Sequence, residues 1–207
     1  MTHHHHQEGS TVLMQSHPGL LVVTLNRPRV VNSLNLAMVR SLRQVLEEAR
    51  EAPAVKMVLL KGAGDRGFCA GGDLKALAQV VQRRDWERAR RFFREEYDLD
   101  LLIHGFPKTV VVLADGITMG GGLGLAAGAD LVIATEHTRM AMPETIIGFF
   151  PDVGATGWLF TKCPPGYPEL LALTGKEIEG REAVRLGLAT HFLPSQHLRD
   201  FLDDGPA

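Results

Sequence analysis

The chain is poor in cysteine: of 207 residues only Cys69 and Cys163 carry a thiol. Two cysteines cannot staple a chain of this length, so a packed core must hold the fold and a reducing compartment is its natural setting. An excess of either charge is lacking too. Lys and Arg total 22 against 24 Asp and Glu, a formal net charge of -2, so no global field draws the protein to nucleic acid or to an anionic membrane. No apolar run reaches the roughly 18 residues that cross a bilayer, and the N-terminus has no basic-then-apolar signal pattern. Neither glycine cluster, Gly71-Gly72 nor Gly120-Gly121-Gly122, completes the dinucleotide fingerprint G-x-G-x-x-G, and a phosphate-binding G-x-x-x-x-G-K-[ST] occurs nowhere. His17, His104, His137, His191 and His197 show no metal-ligand spacing. These absences leave a small molecule as the expected partner and the cytoplasm as the expected location.

What is present fits one globular domain with 45% apolar residues. MTHHHHQEGS, residues 1–10, reads as a tag-like or disordered tail or as a metal-binding tract, and is kept out of the fold; residues 11–207 form the domain. Leu20 to Leu25 is a short apolar, β-branched run closed by Asn26-Arg27-Pro28, the pattern of a buried strand and a turn. Met38, Val39, Leu42, Val45, Leu46 and Ala49 recur at helical spacing between Leu36 and Glu51. Val55 to Leu60, Thr109 to Ala114 and Leu131 to Ala134 read as further strands. Leu74 to His104 reads as helix broken near Arg83 to Asp85, and Leu123 to Ala129 as a small-residue helix. Shorter helices are predicted near Gly154 to Phe160, Tyr167 to Leu173 and Arg181 to Leu186. The alternation of strand and helix predicts an α/β fold.

Two glycine clusters sit at loop-to-helix junctions, Gly71-Gly72 and Gly120-Gly121-Gly122. A turn that presses backbone N–H groups against a ligand oxygen must lack bulky Cβ groups, and paired glycines suit it. Two such donors on one carbonyl oxygen stabilise the charge it gains during enolate formation or nucleophilic attack, each contributing about 3 kcal/mol. The same glycines also serve a fold that merely needs sharp turns and close helix-sheet packing.

FCAGGDL (Phe68 to Leu74), GITMGGGLGLAAGADLVIA (Gly116 to Ala134) and MPETIIGFFPDVG (Met142 to Gly154), with NRPRVVNSLN (Asn26 to Asn35), resemble the enoyl-CoA hydratase/isomerase, or crotonase, superfamily over about Val12 to Leu193. The resemblance implies a crotonase-like spiral of repeated ββα units and an oxyanion hole for a thioester, with Gly72 and Gly121 as the donors. Such chains continue into C-terminal helices, so that part is expected to be short or missing here. The substrate would be an acyl-coenzyme A ester, with coenzyme A arriving as part of it and no separate cofactor; a homo-oligomer fits the same resemblance.

Members of the superfamily differ in the acids and bases set around the clamp. Its hydratases use two carboxylates, and at the first of those positions this chain has Gly124, which can carry no proton. Glu144 and Asp152 remain. Read alone, each is equally a helix cap, Asp152 before the helix near Gly154. FFREEY, MPETIIGFFPDVG and GREAVRLGLATHF, however, resemble the 3-hydroxyisobutyryl-CoA hydrolase branch, and with it a place in valine catabolism. That branch implies a thioester hydrolase in which Glu144 is nucleophile or general base and Asp152 orients substrate or moves a proton. Glu96, otherwise a solvated helix residue, would contact the acyl 3-hydroxyl. Arg29, and the run Arg83, Arg84, Arg88, Arg90, Arg91 and Arg94, would meet coenzyme A phosphates, or form a solvated face. Cys69, beside the first turn, is read as packing and not as a nucleophile. A hydratase or isomerase working with Glu144 alone, and a non-catalytic acyl-CoA-binding protein, stay open beside the hydrolase.

Overall fold

The computed structural model describes residues 10–198, so the tail expected over residues 1–10 lies, Ser10 apart, outside the described residues, as does the frayed end expected at Asp203 to Ala207. The strands are β1 (Val12–His17), β2 (Gly19–Leu25), β3 (Val55–Gly62), β4 (Gly67–Cys69), β5 (Thr109–Ala114), β6 (Ile117–Met119), β7 (Leu131–Ala134), β8 (Arg139–Ala141), β9 (Ile178–Glu179) and β10 (His191–Phe192). The helices are α1 (Leu36–Glu51), α2 (Leu74–Gln82), α3 (Trp86–His104), α4 (Gly121–Ala127), α5 (Ala155–Lys162), α6 (Tyr167–Thr174) and α7 (Gly180–Arg185). Short 3-10 turns occupy Pro28–Val30 and Glu144–Ile147.

From β3 to β8 the strands alternate between two sheets. The larger has the order β1-β2-β3-β5-β7-β10 and the smaller β4-β6-β8-β9. The pair β1-β2 and the pair β8-β9 are antiparallel, and the others are parallel. Each turn of the chain therefore places one strand in the large sheet and one in the small sheet before a helical segment: β3 and β4 before α2 and α3, β5 and β6 before α4, β7 and β8 before α5. This is the spiral of ββα units that the motifs imply.

Period-two alternation assigns the faces of the large sheet. Leu21, Val23 and Leu25 of β2, Val58 and Leu60 of β3, and Val110, Val112 and Ala114 of β5 join the main core with α1 and α4. Leu20, Val22, Leu59, Val111 and Leu113 point to the other face and pack with Leu198. α1, α2 and α3 start where side chains accept the first free N–H groups: Asn35 from Met38, Asp73 from Ala76 and Asp85 from Arg88. The break expected near Arg83 to Asp85 is real, with Arg84 at φ +55° and Asp85 restarting the helix.

The segment before α1 ties the layers together through Asn32, which is fully buried. Its Oδ1 accepts from the Arg27 N–H at 2.9 Å, and its Nδ2 donates to the carbonyls of Ala63 and Gly67, both at 3.0 Å. Its φ of +54° is one that asparagine tolerates better than most residues. Asn32→Ala strands these three backbone groups and is expected to destabilise the protein by about 3 kcal/mol, read as a lower urea midpoint with an unchanged slope.

Candidate active site

The first glycine turn is fixed by Leu34. Its N–H donates to the Gly71 carbonyl and its carbonyl accepts from the Asp73 N–H, both at 2.8 Å, in a parallel bridge between Leu34 and Gly72. In such a bridge the flanking residues bond the partner, so the Gly72 N–H faces the opposite side. The Arg27 guanidinium holds Asp73 at 2.8 Å and anchors the turn where α2 begins.

The second turn is the start of α4. Gly120 has φ +51°, a region that favours glycine, and Gly121 follows as the first helical residue, where an N–H has no partner within its own helix. Among the described residues neither Gly72 nor Gly121 donates its N–H to a backbone or side-chain acceptor. The turns touch: a Cβ built on Gly71 would lie 3.1 Å from the Gly121 nitrogen and 3.5 Å from the Gly120 Cα.

Both turns line one cavity of about 410 Å³. Its apolar wall includes Leu77 and Val81 of α2, Phe92 and Phe93 of α3, and Phe149. Its polar groups are carboxyls, Glu96, Glu144 and Asp152, and among the described residues no lysine or arginine lines it. The carboxyls crowd the second turn. A Cβ on Gly120 would lie 2.8 Å from Glu144 Oε1, and one on Gly121 would lie 2.6 Å from Glu96 Oε1.

Burial, then the charges of Asp152 and Glu144, pushes Glu96 up to about 8. Burial raises Glu144 to about 7, with the Asp152 charge adding to it and a backbone hydrogen bond opposing. Asp152 is also raised by burial, against the pull of Tyr97, whose hydroxyl donates to Asp152 Oδ2 at 2.8 Å. One helical turn beyond Glu96, Asp100 is buried with neither carboxyl oxygen hydrogen-bonded, and burial, then Glu96 and Asp152, holds it well above the usual aspartate value. Carboxyls crowded without a cation divide into proton carriers and charged groups near neutrality.

The structure thus brings Gly72, Gly121, Glu96, Glu144 and Asp152 to one cavity. Capping, the other reading of the two acids, fails. Glu144 is the first residue of its 3-10 turn and makes no capping bond, and α5 starts at Gly154 with no side-chain cap because the Asp152 carboxyl is held by Tyr97 instead. Glu144 Oε2 is buried without a partner. Glu96 is 2% exposed, not a solvated helix residue. Gly124 packs under Val153, whose Cβ would lie 2.7 Å from a Cβ added there. Arg29 stands on the exposed turn Pro28–Val30, outside the cavity lining. The six arginines from Arg83 to Arg94 are exposed, and among the described residues none of them makes an ion pair. Cys69 is fully buried and its thiol is pushed up to about 12, chiefly by burial, which fits packing.

Tyr97 and Asp100 escaped the sequence reading. Asp100 left a trace, a charged residue on the same helical face as Phe92, Leu99 and Ile103; Tyr97 closed the FFREEY motif, but nothing in the sequence gave it a role beside Glu96. Phe149 left a weak one, an aromatic pair in a glycine-containing loop.

Comparison with known proteins adds three findings. A sequence profile of the enoyl-CoA hydratase/isomerase family matches residues 20–204. The 3-hydroxyisobutyryl-CoA hydrolases of Gallus gallus, named as mitochondrial, and of Arabidopsis thaliana, number 1, are each 41% identical to this chain. The matches cover 97% and 91% of the chain but 51% and 50% of those relatives, so the chain spans about half the length of the curated relatives it matches. Among solved structures, a carnitinyl-CoA dehydratase from Mycobacterium thermoresistibile superposes with a TM-score of 0.89 at 40% identity, over 94% of this chain and 57% of that one. An enoyl-CoA hydratase from Bacillus anthracis superposes with a TM-score of 0.87 at 29% identity, over 94% and 74%.

Proposed function

The chain belongs to the enoyl-CoA hydratase/isomerase family, and from that premise we propose that it hydrolyses an acyl-CoA thioester, 3-hydroxyisobutyryl-CoA or a similar short 3-hydroxyacyl ester. In this reading the N–H groups of Gly72 and Gly121 receive the thioester oxygen as it gains charge. The Glu144 carboxylate attacks the acyl carbon, the carbon–sulfur bond breaks, and the departing thiolate takes a proton. Water then cleaves the resulting anhydride to free acid and Glu144. The close variant has Glu144 take a proton from an attacking water. Asp152 carries the proton that either route moves, and Glu96 faces the acyl 3-hydroxyl.

The observation that carries the reading is Glu144: a carboxylate against the Gly120-Gly121 turn, with one oxygen unpaired and the Gly72 turn in the same cavity. The names of the hydrolase relatives support the choice of reaction. The names of the solved neighbours favour hydration or its reverse instead, but the space over Gly124 belongs to Val153, which leaves no room there for a second carboxylate.

Arg29 is assigned to coenzyme A phosphates on the strength of its exposure and, among the described residues, its lack of an acidic partner. Among the described residues no helix is long and apolar enough to cross a membrane. A cytoplasmic location is part of the proposal, beside vertebrate relatives whose names place them in mitochondria. A homo-oligomer is part of it as well, supported by exposed Phe150, Phe160 and Leu173.

The test is free-thiol release over a panel of 3-hydroxyacyl-CoA and enoyl-CoA esters. Thiol is expected from 3-hydroxyisobutyryl-CoA and not from crotonyl-CoA. Hydration of crotonyl-CoA with no thiol released from any ester would sink the hydrolase reading, and binding of every ester without turnover would make the protein an acyl-CoA carrier.

A further inference from the structure

The backbone around Asp152 is locked. The next residue, Val153, has φ +46°, a left-handed conformation that is strained for a β-branched side chain. Three contacts hold it there. The Trp158 indole N–H donates to the Val153 carbonyl at 2.9 Å, the Asp152 carbonyl accepts from the Ala155 N–H at 2.8 Å, and the Val153 side chain fills the space over Gly124. What stays adjustable is the Asp152 side chain itself.

Tyr97 fixes that side chain. Its hydroxyl donates to Asp152 Oδ2 at 2.8 Å, while its ring packs on Phe93 at 6.1 Å and a tilt of 41°, and Phe93 in turn stacks on Phe149 at 5.7 Å and 19°. The aromatic column seats the ring without help from the hydroxyl, so the two parts of Tyr97 have separable jobs. Among the described residues the ionisable groups coupled to Asp152 are Tyr97 and Glu96 on α3, Asp100 one turn further on, and Glu144 on the turn before it. α4 behind it contains none, the face of α2 on the cavity is Leu74, Leu77, Ala78 and Val81, and α5 has none before Lys162.

We propose that Tyr97 is a positioning residue, whose hydroxyl pins one oxygen of Asp152 and leaves the other to exchange a proton inside the cavity. This rests on the reading of Asp152 as the proton-transfer group of the hydrolase. The direction of its effect is fixed. Burial raises Asp152 and the Tyr97 hydrogen bond opposes that rise, because it favours the charged carboxylate over the neutral acid. Without the hydroxyl, Asp152 takes up its proton at higher pH, and whichever limb of the rate profile it sets moves the same way.

Tyr97→Phe keeps the ring and removes the donor. The titration of the Asp152 carboxyl carbon, followed by NMR, is expected to move up by about one pH unit. In the same variant kcat for thiol release falls about tenfold with KM little changed, the loss expected when a proton-transfer group is no longer held in place. Tyr97→Phe combined with Asp152→Asn is no slower than Asp152→Asn alone. An Asp152 titration that does not move, or losses that multiply in the double variant, overturns the proposal. A ring-fluorinated tyrosine at position 97 gives the opposite sign: its more acidic hydroxyl is the stronger donor and moves the titration down. That variant decides the matter if Tyr97→Phe does not fold. Absence of thiol release from the unaltered protein overturns the hydrolase reading, while the Asp152 titration still decides Tyr97 by itself.

Discussion

Glu144→Gln is expected to lower the rate of thiol release by roughly a thousandfold, the scale on which removal of an essential base or nucleophile is felt. The substitution keeps the shape of the side chain and takes away only its ability to carry negative charge. KM is expected to change little, since the cavity wall of Leu77, Val81, Phe92, Phe93 and Phe149 is untouched. Burial holds Glu144 at about 7, and both routes need its carboxylate, so kcat/KM in the unaltered protein falls about tenfold per pH unit below that point. A rate profile measured from pH 5 to 9 checks this, and a profile flat down to pH 5 would remove Glu144 from the chemistry.

The same burial carries a stability consequence of known sign. The folded value of about 7 lies above the ordinary value of 4.5, so the folded protein holds this proton more tightly than the unfolded chain does. Stability is then lost as pH rises from about 4.5 to about 7, and the loss is complete above both values. Glu144→Gln carries no such penalty, and its thermal midpoint at pH 8 is expected to exceed that of the unaltered protein. A variant that gains stability as it loses activity has lost a functional group and not a structural one.

How much of this was legible in the sequence follows from the range over which each feature is encoded. α1 was readable to the residue, because its six buried side chains recur at helical spacing within one segment. The central strands were readable for the same reason, as short β-branched runs. β1 was not, since Val12–His17 mixes Gln15, Ser16 and His17 into an edge strand that alternates weakly; β4 and β6, three residues each, vanish among glycines, and β8 at three residues is too short to show a period. The two glycine turns were visible, but what joins them is not local. The pairing of Leu34 with Gly72 brings together residues from opposite sides of α1 and β3, and the packing of α4 on β4 depends on a glycine that reads like its neighbours. The carboxylates Glu96, Glu144 and Asp152 were picked out by resemblance to a family; their unpaired oxygens, their crowding and the Tyr97 hydroxyl emerge only once α3 lies across α4.

The glycine that joins α4 to β4 yields the second large effect. Gly122→Ala is expected to destabilise the fold by about 3 kcal/mol and to slow thiol release by about a hundredfold in whatever folds. The new Cβ would sit 2.3 Å from the Cys69 carbonyl oxygen and 2.7 Å from the Cys69 Cβ. That backbone cannot yield, because Cys69 is paired to Thr118 across β4 and β6 and its own side chain is fully buried. α4 must therefore lift from the small sheet, carrying Gly120 and Gly121 away from Gly71 and Gly72. Displacing one oxyanion donor costs about 3 kcal/mol in the transition state, which is the hundredfold. Gly157→Ala is the contrast: on α5 nothing lies within 4 Å of the added Cβ, and better helix propensity is expected to raise stability by about 0.5–1 kcal/mol with the rate unchanged. Thermal melts and thiol release on the two variants separate a glycine that lets two turns meet from one that merely occupies a helix. An unimpaired Gly122→Ala would mean that the turns do not need this contact to form the oxyanion site.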